Sequence, residues 1–107
     1  MQFRYRITRI HNFTSDQQEA LNYSVLDYVC CMYEGNWWIG LIMEVEKELS
    51  DFFVKFMHPH CSATSFHWPF KDDICWVPSV HIVYKISVPV TATGRSYSVN
   101  ANDLEIE

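Results

Sequence analysis

The residues best suited to chemistry crowd one short stretch. Residues 25–40, VLDYVCCMYEGNWWIG, set Tyr33, Trp37 and Trp38 around a Glu-Gly-Asn turn. Three large rings beside one tight turn either fill a core or hold something at the surface. The chemistry open to them at a surface is capture of a soft organic cation, where each ring within about 6 Å of the charge contributes roughly 0.5–2 kcal/mol. A second group of reactive types lies in the segment HPHCSATSFHWP, with His58, His60, Cys61 and His67, and Cys75 beyond it. Zinc prefers such Cys and His donors in tetrahedral sets. Their spacing matches no standard finger, so ordinary loop histidines are the favoured reading and no metal is assigned. Cys61 beside His58 or His60 has the types of a nucleophile–base pair. One loop with no orienting third residue is a poor scaffold for it. The chain has no Gly-rich phosphate loop, no Gly-x-Ser-x-Gly and no His-Glu-x-x-His, so a non-enzyme without a cofactor is expected.

These residues must be positioned by strands. QFRYRITRI (2–10) alternates, with Phe3, Tyr5 and Ile7 on one face and Arg4, Arg6 and Thr8 on the other. Its arginines could meet phosphate with Tyr5 stacking between them. The favoured reading is an edge strand whose charges discourage edge pairing. Ser15 and Gln18 form a capping-box pattern, which predicts a short helix over residues 16–22, with a polar linker as the alternative. From residue 25 the pattern is short strands and turns. Strands are expected over 26–33, 37–48, 52–58, 74–78 and 81–86. The turn 34–36 between the first two gives positive φ to Gly35 and Asn36. Gly40, inside the second strand, predicts a bend or a close backbone approach. Residues 59–73 form a long connection punctuated by Pro59 and Pro69. The tail from 87 carries strand-like residues around Gly94-Arg95, then a possible helical turn capped by Asn100.

Five short antiparallel strands in some 60 residues predict an all-β fold, a small SH3-like barrel. Val29, Cys31, Ile42, Val45, Val54 and Ile82 are its expected interior. A chain of 107 residues makes one domain, so residues 1–24 and 87–107 are expected to embellish a barrel over 25–86. The tail is expected to add a strand to the barrel or to pack across its open end.

Composition narrows the partners. The formal net charge is −5, with Glu44, Glu46, Glu48 and Asp51 clustered mid-chain and Asp103, Glu105 and Glu107 at the end. Such a surface repels phosphate backbones, so nucleic acid is disfavoured and a basic peptide is the better match. Nothing approaches the roughly 18 consecutive apolar residues of a membrane span, and no membrane partner is expected. The opening MQFRYRITRIHNF lacks the apolar h-region of a signal peptide. Adjacent Cys30 and Cys31 point to opposite faces of a strand, a poor disulfide arrangement. Small core cysteines in a reducing compartment, cytoplasm or nucleus, are expected. The sequons at Asn12 and Asn22 are then chance matches. Oligomeric state is left open.

The order V-L-D-x-V-x-C-x-Y-x-G-x-W-W-x-G-x-I, then V-x-F, then W-V-P-x-x-x-I, resembles a Tudor domain of the Royal superfamily over about residues 25–86. Asp27, Val29, Cys31 and Tyr33 match the family's first strand. Trp37, Trp38, Gly40 and Ile42 match the second, Val54 and Phe56 the third, and Val77 and Ile82 the closing spacing. The resemblance implies a reader of methylated lysine or arginine. A methylated cation keeps its charge but loses donors and hydration, which favours aromatic faces. By position, Tyr33, Trp38 and Phe56 fall where cage aromatics sit, and Trp37 falls at a buried position. The family's Asp-Tyr-Gly-Asn is replaced here by MHPH, so the fourth wall aligns with His58 or Pro59, with Phe66 or Trp68 as substitutes. Plain barrel packing of the same rings is the competing reading. The segments KFMHPH and FHWPFKDDICWVP are also similar to C-terminal parts of animal proteins that are sometimes transposon-associated. That likeness implies a protein–protein or structural module of a larger protein.

Overall fold

The tight turn after Tyr33 organises the molecule. In the computed structural model, which describes residues 23–60, 64–100 and 102, β1 (Tyr28–Tyr33) and β2 (Asn36–Glu46) form an antiparallel hairpin. Tyr33 pairs directly with Asn36, which leaves a two-residue turn. Its φ angles are 51° at Glu34 and 83° at Gly35. Positive φ at both central residues is the type I′ geometry that matches strand twist. The positive angles thus belong to Glu34 and Gly35, and Asn36 is already strand. A side chain as long as glutamate gains nothing from this backbone region, whereas asparagine tolerates it. Glu34→Asn is expected to raise stability by about 0.5–1 kcal/mol, read as a higher urea midpoint at constant m-value.

β2 continues into β3 (Asp51–Phe56), and β6 (Ile74–Pro78) follows on its far side. A single 3-10 turn, Ser79–His81, then leads to β7 (Ile82–Ile86), which pairs with β1. The main sheet is therefore antiparallel in the order β6-β3-β2-β1-β7. Two register irregularities shape it. The ladder between β2 and β3 skips Met43, and that between β1 and β7 skips Val83. An extra residue inverts the side-chain alternation beyond it. Ile42 and Val45 consequently face the same core, although a regular strand would oppose them. All six expected interior residues lie in that core: Val29, Cys31, Ile42, Val54 and Ile82 are buried and Val45 packs against them. Phe52, Phe56 and Val77 complete it.

The opposite face of the same sheet is also covered. β4 (His58–Pro59), β5 (Ser65–His67) and β8 (Tyr97–Ser98) form a second antiparallel sheet in that order. It is made from the end of the expected third strand, the long connection after it and the C-terminal tail. Among the described residues, the tail therefore pairs with β5 rather than with the main sheet. A β-bridge between Val90 and Ser98 and the bond from Val99 N–H to the Thr64 carbonyl, 2.9 Å, extend it. Between the sheets lies a second core of Cys30, Ile39, Met57, Phe66, Ile86 and Val99, flanked by Tyr28, Trp37, Trp68, Tyr84 and Tyr97. Cys30 and Cys31 thus serve different cores from adjacent positions, as strand alternation requires. Burial pushes the Cys30 thiol up to about 11 and the Cys31 thiol well above its ordinary value, so both remain neutral packing groups. The expected strand at 2–10 and helix at 16–22 lie outside the described residues.

Candidate functional site

A cleft of about 420 Å³ opens beside the first hairpin turn. Gly35 and Asn36 of the turn, Trp37, Trp38 and Ile39 of β2, Met57, Pro59 of β4 and Phe66 of β5 line it. It sits where the hairpin end of the main sheet meets the small sheet. Its shape follows from local rules. Alternation along β2 sends Trp37 and Ile39 toward the second core and Trp38 toward the first. Pro59 faces Phe66 across the β4–β5 ladder, so the two share one wall. Trp37 and Phe66 are 6.1 Å apart at 57°, a tilted pair of the kind rings prefer. Pro59, Gly35 and Asn36 are exposed at the rim, while Ile39, Met57 and Phe66 are buried in the floor.

The six residues singled out from the sequence do not converge on one opening. Tyr33, Trp38 and Phe56 do share the first-core face. Phe56 has no exposed surface at all, so it is a core residue rather than a cage wall. Tyr33 is half-buried, and its ring meets that of His81 edge-on at 5.2 Å. The His81 Nδ1–H donates to the Met32 carbonyl at 3.0 Å, which fixes that imidazole under the hairpin. Trp38 is half-buried, and its indole N–H is sealed without an acceptor among the described residues. An unmet buried donor is uncommon in a settled core.

Phe66 and Trp68 lie on the other face. Phe66, 3% exposed, belongs to the second core and reaches the cleft only as floor. Trp68 packs beside Tyr28 and Tyr97, with Lys55 Nζ 4.9 Å from its ring centroid. His58 donates through Nε2 to Asp73 Oδ2 at 2.8 Å, which ties β4 to the segment before β6. Of the six, the cleft gathers Trp38 and Phe66 alone, and it adds Trp37, read from the sequence as wholly core. Ile39 and Met57 were not singled out at all, and Pro59 entered only as an alternative for the fourth wall. The signal for them was the run Trp37-x-Ile39, an apolar pair on the face opposite the first core.

Among the described residues, no group of three or more His, Cys, Asp and Glu is arranged to hold a metal ion. The His60 and His67 rings are 5.3 Å apart, those of His58 and His67 6.1 Å apart, and Cys61 lies outside the described residues. Among the described residues no helix is long and apolar enough to cross a membrane. No family model, curated protein or solved structure matches the chain.

Proposed function

We propose that the protein is a non-enzymatic peptide-binding module built on an SH3-like, Tudor-like barrel. The strand order β6-β3-β2-β1-β7, with one 3-10 turn before the last strand, supports that architecture. The observation that carries the function is the open aromatic cleft at the hairpin end, floored by Phe66 and Met57 and walled by Trp37, Trp38 and Pro59. Its volume lies within the range of small-ligand pockets, and its lining is mostly apolar with backbone polar groups of the turn at the rim. An extended peptide laid along the turn would bury one side chain there. A methylated lysine or arginine suits it because a soft cation gains from the Trp37 and Phe66 rings where a hydrated ammonium does not. Such a reader would work on chromatin or a ribonucleoprotein. Trp38 still lines the site in this reading, but Tyr33 and Phe56 take no part.

The test is a titration followed by two-dimensional NMR, with peptides carrying trimethyl-lysine, dimethyl-arginine or the unmodified residues. Amides of Asn36, Trp37 and Met57 are expected to shift, and the methylated forms to bind about tenfold tighter, equivalent to about 1.4 kcal/mol. Pro59→Lys, an exposed substitution at the rim that sets a like charge beside the cation, is expected to remove the response without unfolding the chain. Silence across all peptides sinks the reading. A second reading, a docking module of a larger protein, is favoured by Phe70, whose side chain is fully exposed between Pro69 and Lys71. It predicts association that Phe70→Ser abolishes and Pro59→Lys leaves intact.

A further inference from the structure

The outer side of the small sheet carries a different kind of site. Alternation along β5 turns Phe66 into the second core and leaves His67 on the opposite side. There a hollow of about 510 Å³ is lined by His60, His67, Trp68, Gly94, Arg95 and Ser96. Its donors come from three separate segments: the end of β4, β5 with the residue after it, and the loop before β8. Among the described residues no carboxylate lines it. Two acidic side chains before β6 are engaged elsewhere, Asp73 with His58 at 2.8 Å and Asp72 with Lys55 at 3.7 Å. Against a chain of net charge −5, this is a local concentration of donors.

Those donors are available. Among the described residues, Arg95 has no ion-pair partner and the Trp68 indole N–H has no acceptor. The Ser96 hydroxyl is held by that of Ser65 at 2.9 Å, which joins the loop to β5. The loop itself is stitched in place. Thr91 Oγ1 accepts from the Gly94 N–H at 2.8 Å and donates to the Ser96 carbonyl at 2.7 Å. Thr93 Oγ1 accepts from the N–H groups of Arg95 and Ser96 at 3.1 and 3.3 Å. Arg95 therefore leaves from a backbone already ordered, which lowers the entropy cost of a contact through it.

We propose that this hollow binds a phosphate monoester on a peptide side chain. A guanidinium matches a phosphate with two parallel charge-assisted bonds, and imidazole, indole and hydroxyl donors complete its oxygens. The volume admits an aromatic ring as well as the phosphate, and Trp68 is there to meet it. A single phosphate is favoured over a polynucleotide because the rest of the acidic surface repels a polyanion.

Four probes test this by NMR titration of the whole chain: a short phosphotyrosine peptide, its phosphoserine analogue, the unphosphorylated peptide and oligothymidylate. Saturable shifts of the Trp68 indole and Arg95 amide signals are expected with both phosphopeptides, at least tenfold tighter than with the unphosphorylated one. Preference for phosphotyrosine places the ring on Trp68, and equal binding places the phosphate alone. Arg95→Ala, an exposed substitution, is expected to lose at least tenfold with the spectrum otherwise unchanged, and His60→Ala to lose less. Absence of saturation, or wild-type binding by Arg95→Ala, overturns the proposal. Oligothymidylate binding tighter than either phosphopeptide overturns it in favour of nucleic acid. Pro59→Lys should not weaken this binding, so failure here and failure of the aromatic cleft are read separately.

Discussion

Gly40→Ala is expected to destabilise the fold by about 2–3 kcal/mol, through overpacking alone. Gly40 is buried in β2, opposite Val29 on one side and Phe56 on the other. A Cβ built there collides with Val54 Cγ1 and lies 3.2 Å from both the Lys55 carbonyl and Phe56 Cδ1. Two opposing effects must be weighed. Removing a glycine restricts the unfolded chain and by itself would stabilise by about 0.4–1 kcal/mol. The collision wins because nothing around it can retreat. Val54 and Phe56 are fully buried, and the Lys55 carbonyl belongs to the β2–β3 ladder. Urea denaturation reads the loss. Val54→Ala removes the colliding methyl, so the double variant should recover at least about 1 kcal/mol relative to additivity. A Gly40→Ala protein within about 0.5 kcal/mol of the wild type would show that the strands approach less closely than described.

That glycine was legible in the sequence, because an isolated Gly within a strand pattern signals close approach. The first hairpin was legible for a similar reason: alternation and a Gly-containing turn are local signals. So was the first core, whose six expected members are all there. The ladder skips at Met43 and Val83 were not, since they arise from pairing between strands rather than from either strand. The second sheet was hidden by its brevity and its contact distances. β4 and β8 have two residues each and β5 three, and β5 finds β8 across some thirty residues of chain. One clue was present. Tyr28 and Cys30 in β1, with Trp37 and Ile39 in β2, make the outer face of the hairpin apolar, and such a face demands a cover. The misplaced cage residue has an equally plain cause. Phe56 shares strand parity with Phe52 and Val54, which sends all three to one core. Positional likeness to a family placed it at a mouth, but alternation along its own strand placed it inside.

Phe66→Ala is expected to cost about 3–5 kcal/mol, the range for truncating a buried aromatic. As a mere ligand wall, Phe66 would tolerate truncation within about 1 kcal/mol. The ring is 3% exposed and touches a core drawn from both sheets, with Ile39 and Cys30 on one side and Val99 on the other. No other buried side chain of β5 reaches that core, so the cavity cannot be filled from its own strand. The loss should be unevenly distributed. The first core contains no residue of β4, β5 or β8, so the main sheet keeps its own packing when the small sheet loosens. Native-state hydrogen exchange is the discriminating measurement. The amides of His60, Ser98 and Val99, bonded to Ser65, Val90 and Thr64, are expected to exchange about 100-fold faster, as a local opening eased by about 3 kcal/mol would give. Amides of the β1–β2 ladder are expected to change far less. A uniform acceleration through both sheets would make the two cores one cooperative unit. The aromatic cleft would then inherit its geometry from the whole molecule, and a peptide bound there should slow exchange across the main sheet as much as across the small one.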